Sequence, residues 1–257
     1  MNAIFPDPTA NTSKVKILLI GDNGIDQYQY GSVTRISPEA PVPIINYTHT
    51  ITKPGMAANV KDNLERLGCL VDFEHGIKTC IKTRVIDERT KQHLIRIDQD
   101  QASMPVKLDY NNIDKYNAII VSDYNKGSVA YETVENLRKN YTGPIFVDTK
   151  KTDLARFEGC YVKINALESA AAKTVPTELI ITLGRDGVKY KEHRFSTPQV
   201  EAFDVCGAGD TFLSALAYNY VLSQDIVSAI KFATRAASIT IQHIGVYSPT
   251  LEEIEQA

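Results

Sequence analysis

The chain has no tryptophan, few methionines, and no apolar run near the ~20 residues that a membrane-spanning helix needs. Its four cysteines, Cys69, Cys80, Cys160 and Cys206, are scattered, with no Cys-x-x-Cys pair and no histidine at metal-ligand spacing. That excludes a disulfide framework or a zinc motif and leaves free thiols in a reducing cytosol as the expectation. Positive charge is not in excess either. The 28 Lys and Arg are outnumbered by 31 Asp and Glu, giving a net charge of −3. Such a balance argues against a nucleic-acid binder driven by phosphate neutralisation. Residues 1–10 lack a basic stretch followed by an apolar one, so no secretory signal is expected and a cytoplasmic location is. Internal repeats, low-complexity tracts and an obvious linker are also missing.

What remains is the composition of a soluble globular protein, with 43% hydrophobic and 23% charged residues in 257. A chain of this length can bury a substantial core, and one domain over residues 1–257 is expected. Val15-Lys-Ile-Leu-Leu-Ile20 is nearly continuous in apolar residues and ends at Gly21-Asp22, the pattern of a buried parallel strand. Similar runs recur at residues 118–122, 144–148 and 178–183, each after a helix-like or polar stretch. The spacing is that of βα units, so the expected fold is α/β, with a mostly parallel central sheet and helices on both faces. Ligands bind at the carboxyl ends of such strands, where Asp22, Ser122, Asp123, Asp148 and Thr182 fall. Helices are expected over residues 57–67, 131–140, 210–222 and 228–242. Residues 29–52 and 83–98 break the pattern and read as strands of a small separate β-sheet, a lid over the main sheet. The alternative is a surface hairpin without a role.

Asp204-Val-Cys-Gly-Ala-Gly-Asp210 carries the clearest chemistry. Glycines let backbone N–H groups converge without Cβ interference. The apolar helix that follows adds its positive N-terminal end, so Gly207, Ala208 and Gly209 form a cradle for an anionic group. Asp210 then stands where it can take a proton from an attacking hydroxyl, although aspartate also serves as a helix cap. Upstream, Asp26 lies near a strand end with the means to bind sugar hydroxyls. Gly55 precedes a helix carrying Asn59, an amide that both donates and accepts.

With these residues the chain resembles the ribokinase-like carbohydrate kinases, the phosphofructokinase-B family. The block Gly31-Ser-Val-Thr-Arg-Ile-Ser-Pro-Glu-Ala-Pro-Val-Pro43 resembles the branch that phosphorylates D-glycero-D-manno-heptose 7-phosphate. Residues 92–98, 122–127 and 148–150 support the likeness, which runs from about Ile17 to Pro249. The resemblance implies that Asp210 is the general base and that the Gly207–Gly209 backbone is the anion hole. It implies that Asp26, Gly55 and Asn59 contact the sugar. Asn165-Ala166-Leu167-Glu168 matches the family's Asn-x-x-Glu motif, in which Glu168 helps to hold Mg²⁺, often through water; the bland alternative is a solvated glutamate at a helix start. Thr182, Gly184 and Gly187 resemble the border of the ATP site, with Lys150 near its phosphates. Arg35 and Lys126 are candidates for the sugar's own phosphate, Lys126 being equally readable as a solvated lysine. Paired lid strands would make a homodimer.

The sequence also departs from that family. Met56 stands where a second glycine is usual, which crowds the sugar side. Residues 68–83 are short, as if a strand–helix unit were missing, and few residues separate Glu168 from the next strand. No nucleotidyltransferase region follows Pro249, so only the kinase step is expected of this chain. Kinase action on another sugar, or a catalytically idle binding protein on a trimmed scaffold, stand as alternatives.

Overall fold

The computed structural model describes residues 14–257, so the reading of residues 1–10 lies outside the described part. The apolar run before Gly21 forms β1 (Lys16–Gly21). Ile17 and Leu19 enter one core, Leu18 and Ile20 another. A strand covered on both faces needs no polar positions, which explains the unbroken run. Beside it lie, all parallel, β4 (Leu70–His75), β7 (Ala118–Asp123), β8 (Ile145–Thr149), β9 (Tyr161–Asn165) and β10 (Leu179–Thr182). Two short antiparallel strands, β11 (Val188–Tyr190) and β12 (His193–Phe195), finish one edge. The order across the sheet is β12-β11-β10-β9-β8-β7-β1-β4.

A second sheet holds β2 (Asn23–Ile36), β3 (Pro43–Met56), β5 (Cys80–Asp87) and β6 (His93–Gln99), in the order β3-β2-β5-β6. It starts earlier along the chain than the expected segments at 29–52 and 83–98. Asp26, read as lying near a strand end, is therefore inside β2 and pairs with Lys53 on one side and Lys82 on the other.

One face of the main sheet is covered by α1 (Ala57–Arg66), α4 (Ala208–Ser223), α5 (Ile226–Thr240) and α6 (Leu251–Gln256). They bring Val60, Leu64, Leu213, Leu216, Ile230 and Ile254 onto the Ile17 side. The opposite face has α2 (Tyr131–Asn140), which buries Val134 and Leu137, and α3 (Ala166–Ala171), which buries nothing fully. Leu154 and Phe157, from a short 3-10 turn, and the irregular stretch around Val106 and Leu108 complete that core. All four expected helices are present within two residues at each end.

Residues 68–83 hold the strand β4 and the start of β5, with no helix between them. After Glu168 the trimming is as expected, with α3 just six residues long. No helix among the described residues is long and apolar enough to cross a membrane.

Candidate active site

Gly207 caps α4 at φ 80°, a conformation that costs a residue with a Cβ but not glycine. A Cβ here would come within 3.0 Å of Asn59 Nδ2, and one at Gly209 within 2.9 Å of Lys163 Nζ. The turn must therefore be bare on both sides. In the first turn of α4, the N–H groups of Gly209 and Asp210 have no intrahelical acceptor and are available to an anion.

Asp210 is the third residue of α4, so it is not the helix cap. Its buried carboxylate is held at both oxygens. Asn59 Nδ2 donates to Oδ2 at 2.8 Å, and the Tyr124 hydroxyl donates to Oδ1 at 2.8 Å. Burial pushes the Asp210 carboxyl up to about 6, with the Asp148 carboxylate adding to the rise. The Asn59 and Tyr124 hydrogen bonds and the Lys163 charge oppose it. The result is a carboxylate ionised at neutral pH yet far more basic than an exposed aspartate. Burial and the surrounding carboxylates of Asp210, Asp148 and Asp26 keep the Tyr124 proton on well above the ordinary tyrosine range. Tyr124 thus acts as a donor.

Around this base the expected residues separate into those brought together and those not. Asn59, expected at the sugar, spends its amide N–H on Asp210 and so orients the base. Asp26 is not a free carboxylate, because Arg84 Nη1 pairs with Oδ1 at 2.5 Å, both groups being buried. Its Oδ2 lies 3.0 Å from where a Gly55 Cβ would stand, so Gly55 is glycine to admit that carboxylate. Lys126 is tied to Asp100 at 2.5 Å, and its backbone N–H donates to Asp22. Arg35 is exposed near the far end of β2. Nine residues separate it from Asp26, up to about 30 Å along an extended strand.

On the other side, Glu168 and Asn165 form a capping box. Glu168 Oε2 accepts from Asn165 N at 2.8 Å, and Asn165 Oδ1 accepts from Glu168 N at 2.9 Å. The remaining Glu168 oxygen pairs with Lys150. Ala166 and Leu167 are exposed. Thr182, Gly184 and Gly187 line a cavity of about 420 Å³ that continues to Ala208 and Gly209. Its apolar wall, including Val200, Ala237 and Ile241, suits a planar ring system. A nucleotide fits these residues, with its phosphates at the glycine turn. A metal fits them less directly. Among the described residues no three His, Cys, Asp or Glu side chains converge, so Glu168 would hold Mg²⁺ alone or through water, after loosening from Lys150.

Arg84, Tyr124, Lys82 and Lys163 were not singled out as site residues from the sequence. The Lys82 ammonium lies 5.0 Å from the centre of the Tyr124 ring and that of Lys150 5.3 Å, so two cations flank the residue that holds the base. Tyr124 carried a signal, since it follows Ser122-Asp123 at a strand end. Arg84 and Lys163 carried none.

A doubly covered parallel sheet, a glycine cradle at a helix N-terminus and a basic buried aspartate beside it form a ribokinase-like fold with a candidate phosphoryl-transfer site. Residues 153–254 match the pfkB family carbohydrate kinase model. The chain is 29% identical over 302 positions to the bifunctional protein HldE of a Nitratiruptor species, covering 95% of this chain and 65% of that protein. Against HldE of Aliarcobacter butzleri it is 30% identical over 307 positions, covering 95% and 64%. The chain thus spans just under two thirds of these relatives. In structure it is similar to a ribokinase from Thermotoga maritima, with TM-score 0.72, 18% identity, and coverage of 95% of this chain and 99% of that one. Arabidopsis thaliana ribokinase complexed with ribose and ATP superposes with TM-score 0.71 at 13% identity, covering 95% and 98%. The chain is thus similar to pfkB family carbohydrate kinases over residues 153–254 and to HldE proteins over 95% of its length, on a ribokinase-like fold.

Proposed function

We propose that this chain transfers the γ-phosphoryl group of ATP to a hydroxyl of a heptose phosphate, converting D-glycero-D-manno-heptose 7-phosphate to the 1,7-bisphosphate. The observation that carries the phosphoryl-transfer chemistry is Asp210, held between Asn59 and Tyr124 and pushed up to about 6 beside the glycine turn. Asp210 takes the proton of the acceptor hydroxyl as that oxygen bonds to the γ-phosphorus. The bond to the β-phosphate oxygen breaks, and ADP carries away the electron pair. The N–H groups of the Gly207–Gly209 turn face the charge on the transferred group, so this step is mainly positioning and charge stabilisation. Mg²⁺, when bound near Glu168, would neutralise charge on the nucleotide phosphates.

The acceptor is supported by the residue 31–43 block and by the likeness to HldE over 95% of the chain. Asp26, Gly55 and Asn59 line its side of the base, and Lys82 is the nearest lid cation to Tyr124. Arg35, exposed near the far end of β2, would serve the sugar's phosphate from the lid of a second copy. The lid exposes Ile36, Val42, Tyr47, Ile95 and Ile97, the sort of surface that a homodimer would cover. A cytoplasmic location goes with this chemistry.

A second reading, a kinase for a different sugar phosphate, is favoured by Met56, whose buried side chain occupies the space over Gly24. A coupled ADP-release assay over a panel of sugars and sugar phosphates separates the two. Turnover confined to heptose 7-phosphate is expected. Equal turnover of a pentose or hexose phosphate would overturn the heptose assignment and leave the kinase chemistry standing.

A further inference from the structure

Lys163 lies in the middle of β9, and both it and its partner Asp148 on β8 are almost wholly buried. Its Nζ donates to Asp148 Oδ2 at 2.7 Å. The same Nζ stands 2.9 Å from where a Gly209 Cβ would be, directly against the turn that opens α4. Asp148 Oδ1 has no hydrogen-bond partner although it is buried. Burying an ion pair in a protein floor brings little net stability, and hydrophobic residues of the same volume often do as well. An ammonium fixed beneath a phosphate-binding turn does have a chemical use, because charge placed in advance where phosphoryl oxygens gather needs no rearrangement during transfer.

We propose that Lys163 is a positioning residue for the transferred phosphoryl group, its ammonium held by Asp148 under Gly209 so that a fixed positive charge underlies the glycine turn. Asp148 sets the position through the hydrogen bond that its Oδ2 accepts from the ammonium. The Lys163 charge also acts on Asp210, whose carboxylate accepts hydrogen bonds from Asn59 of α1 and Tyr124 of the loop after β7. This rests on the phosphoryl-transfer reading but not on the identity of the sugar.

The test compares the native chain with Lys163→Met and with the double variant Lys163→Met/Asp148→Asn. Calorimetry measures affinity for the β,γ-imido analogue of ATP and for ADP, both with Mg²⁺, so no acceptor is needed. The single variant strands a buried carboxylate and should melt well below the native chain. The double variant removes both charges and should regain most of that stability. Its ratio of analogue affinity to ADP affinity should nevertheless fall by about tenfold, the scale of one charge-assisted contact, and its kcat on any accepted sugar should fall by at least as much. A purely structural pair predicts that the double variant recovers the native ratio along with the native melt. A double variant whose ratio stays within about twofold of native, or a native chain that binds neither nucleotide, overturns the proposal. A native chain that shows the ratio but phosphorylates no sugar in the panel overturns only the acceptor.

Discussion

Replacing Asp210 by Asn should destroy activity and raise stability at the same time. The carboxyl goes from 3.8 in the unfolded chain to about 6 in the folded one, chiefly because burial penalises its charge. A rise of that size corresponds to on the order of 3 kcal/mol that the folded state forgoes to keep Asp210 ionised at neutral pH. The sign follows from proton binding. The folded carboxyl holds its proton more tightly, so the stabilisation is fully present below 3.8 and is lost as pH rises through about 6. Asparagine cannot ionise and escapes that loss. Its amide oxygen can still accept from Asn59, and its NH₂ can donate to the Tyr124 oxygen. For a chain of this size, about 3 kcal/mol corresponds to roughly 6–12 °C in melting temperature. Calorimetric melts of both proteins at about pH 8 should show Asp210→Asn several degrees higher, and at about pH 4.5 that gap should shrink by more than half. Turnover should meanwhile drop by about 10²–10⁴-fold, the usual contribution of a general base. An Asp210→Asn chain that melts lower than native at about pH 8, or a gap independent of pH, would refute the claim that the base is held against its own desolvation.

Tyr124→Phe removes a hydrogen bond to the charged form of Asp210 and should move the acidic limb of the pH–kcat/KM profile upward from about 6 by roughly 1–2 units. Rates should nearly recover at alkaline pH, and a limb that stays in place would show that Tyr124 does not tune the base. Met56 sits at φ 54° and ψ −133°, a conformation natural to glycine, with its side chain buried. Met56→Gly and Met56→Ala lose similar burial, but only glycine relieves the backbone, so the glycine variant should be the more stable by about 1 kcal/mol, a reversal of the usual order in urea titrations.

The parallel sheet was legible because β1, β7, β8 and β10 are apolar on both faces, and their βα spacing admits few other folds. The strand β9 was not, because Lys163 interrupts Val162 and Ile164 with a charge that only Asp148, fifteen residues earlier, makes tolerable. β4 was also missed, since its sequence Leu-Val-Asp-Phe-Glu-His alternates like a one-sided edge strand. In the site, the glycine turn and Asp210 declare themselves through backbone demands that sequence spells out locally. The partners of Asp26 and Asp210 do not. Arg84 is 58 residues from Asp26 and Tyr124 is 86 from Asp210; only the pairing of β5 with β2 brings the first two together, and only the packing of α4 beside the end of β7 the second two. The family resemblance implied a sugar contact for Asn59, and only the packing of α1 against α4 turns its amide to Asp210.

The distribution of the trimming bears on whether the chain is an idle scaffold. An alignment of 302 positions on 257 residues leaves at least 45 positions where the HldE relative has residues and this chain has none. The segments read from the sequence as short, residues 68–83 and those after Glu168, lie at the passage from β4 to β5 and at α3 on the thinly covered face of the sheet. The face built from α1, α4, α5 and α6 has a continuous core from Val60 to Ile254. Asn59 and Asp210 hang from the first turns of α1 and α4 on that face, and Ser214 of α4 bonds to the Val60 carbonyl at 3.2 Å, fixing the two helices to each other. A chain freed from catalysis has no reason to keep a carboxylate that costs on the order of 3 kcal/mol to hold ionised, since asparagine would satisfy Asn59 and Tyr124 without that cost. Asp210, on the face with this continuous core and held ionised at that cost, is the physical argument against an idle scaffold.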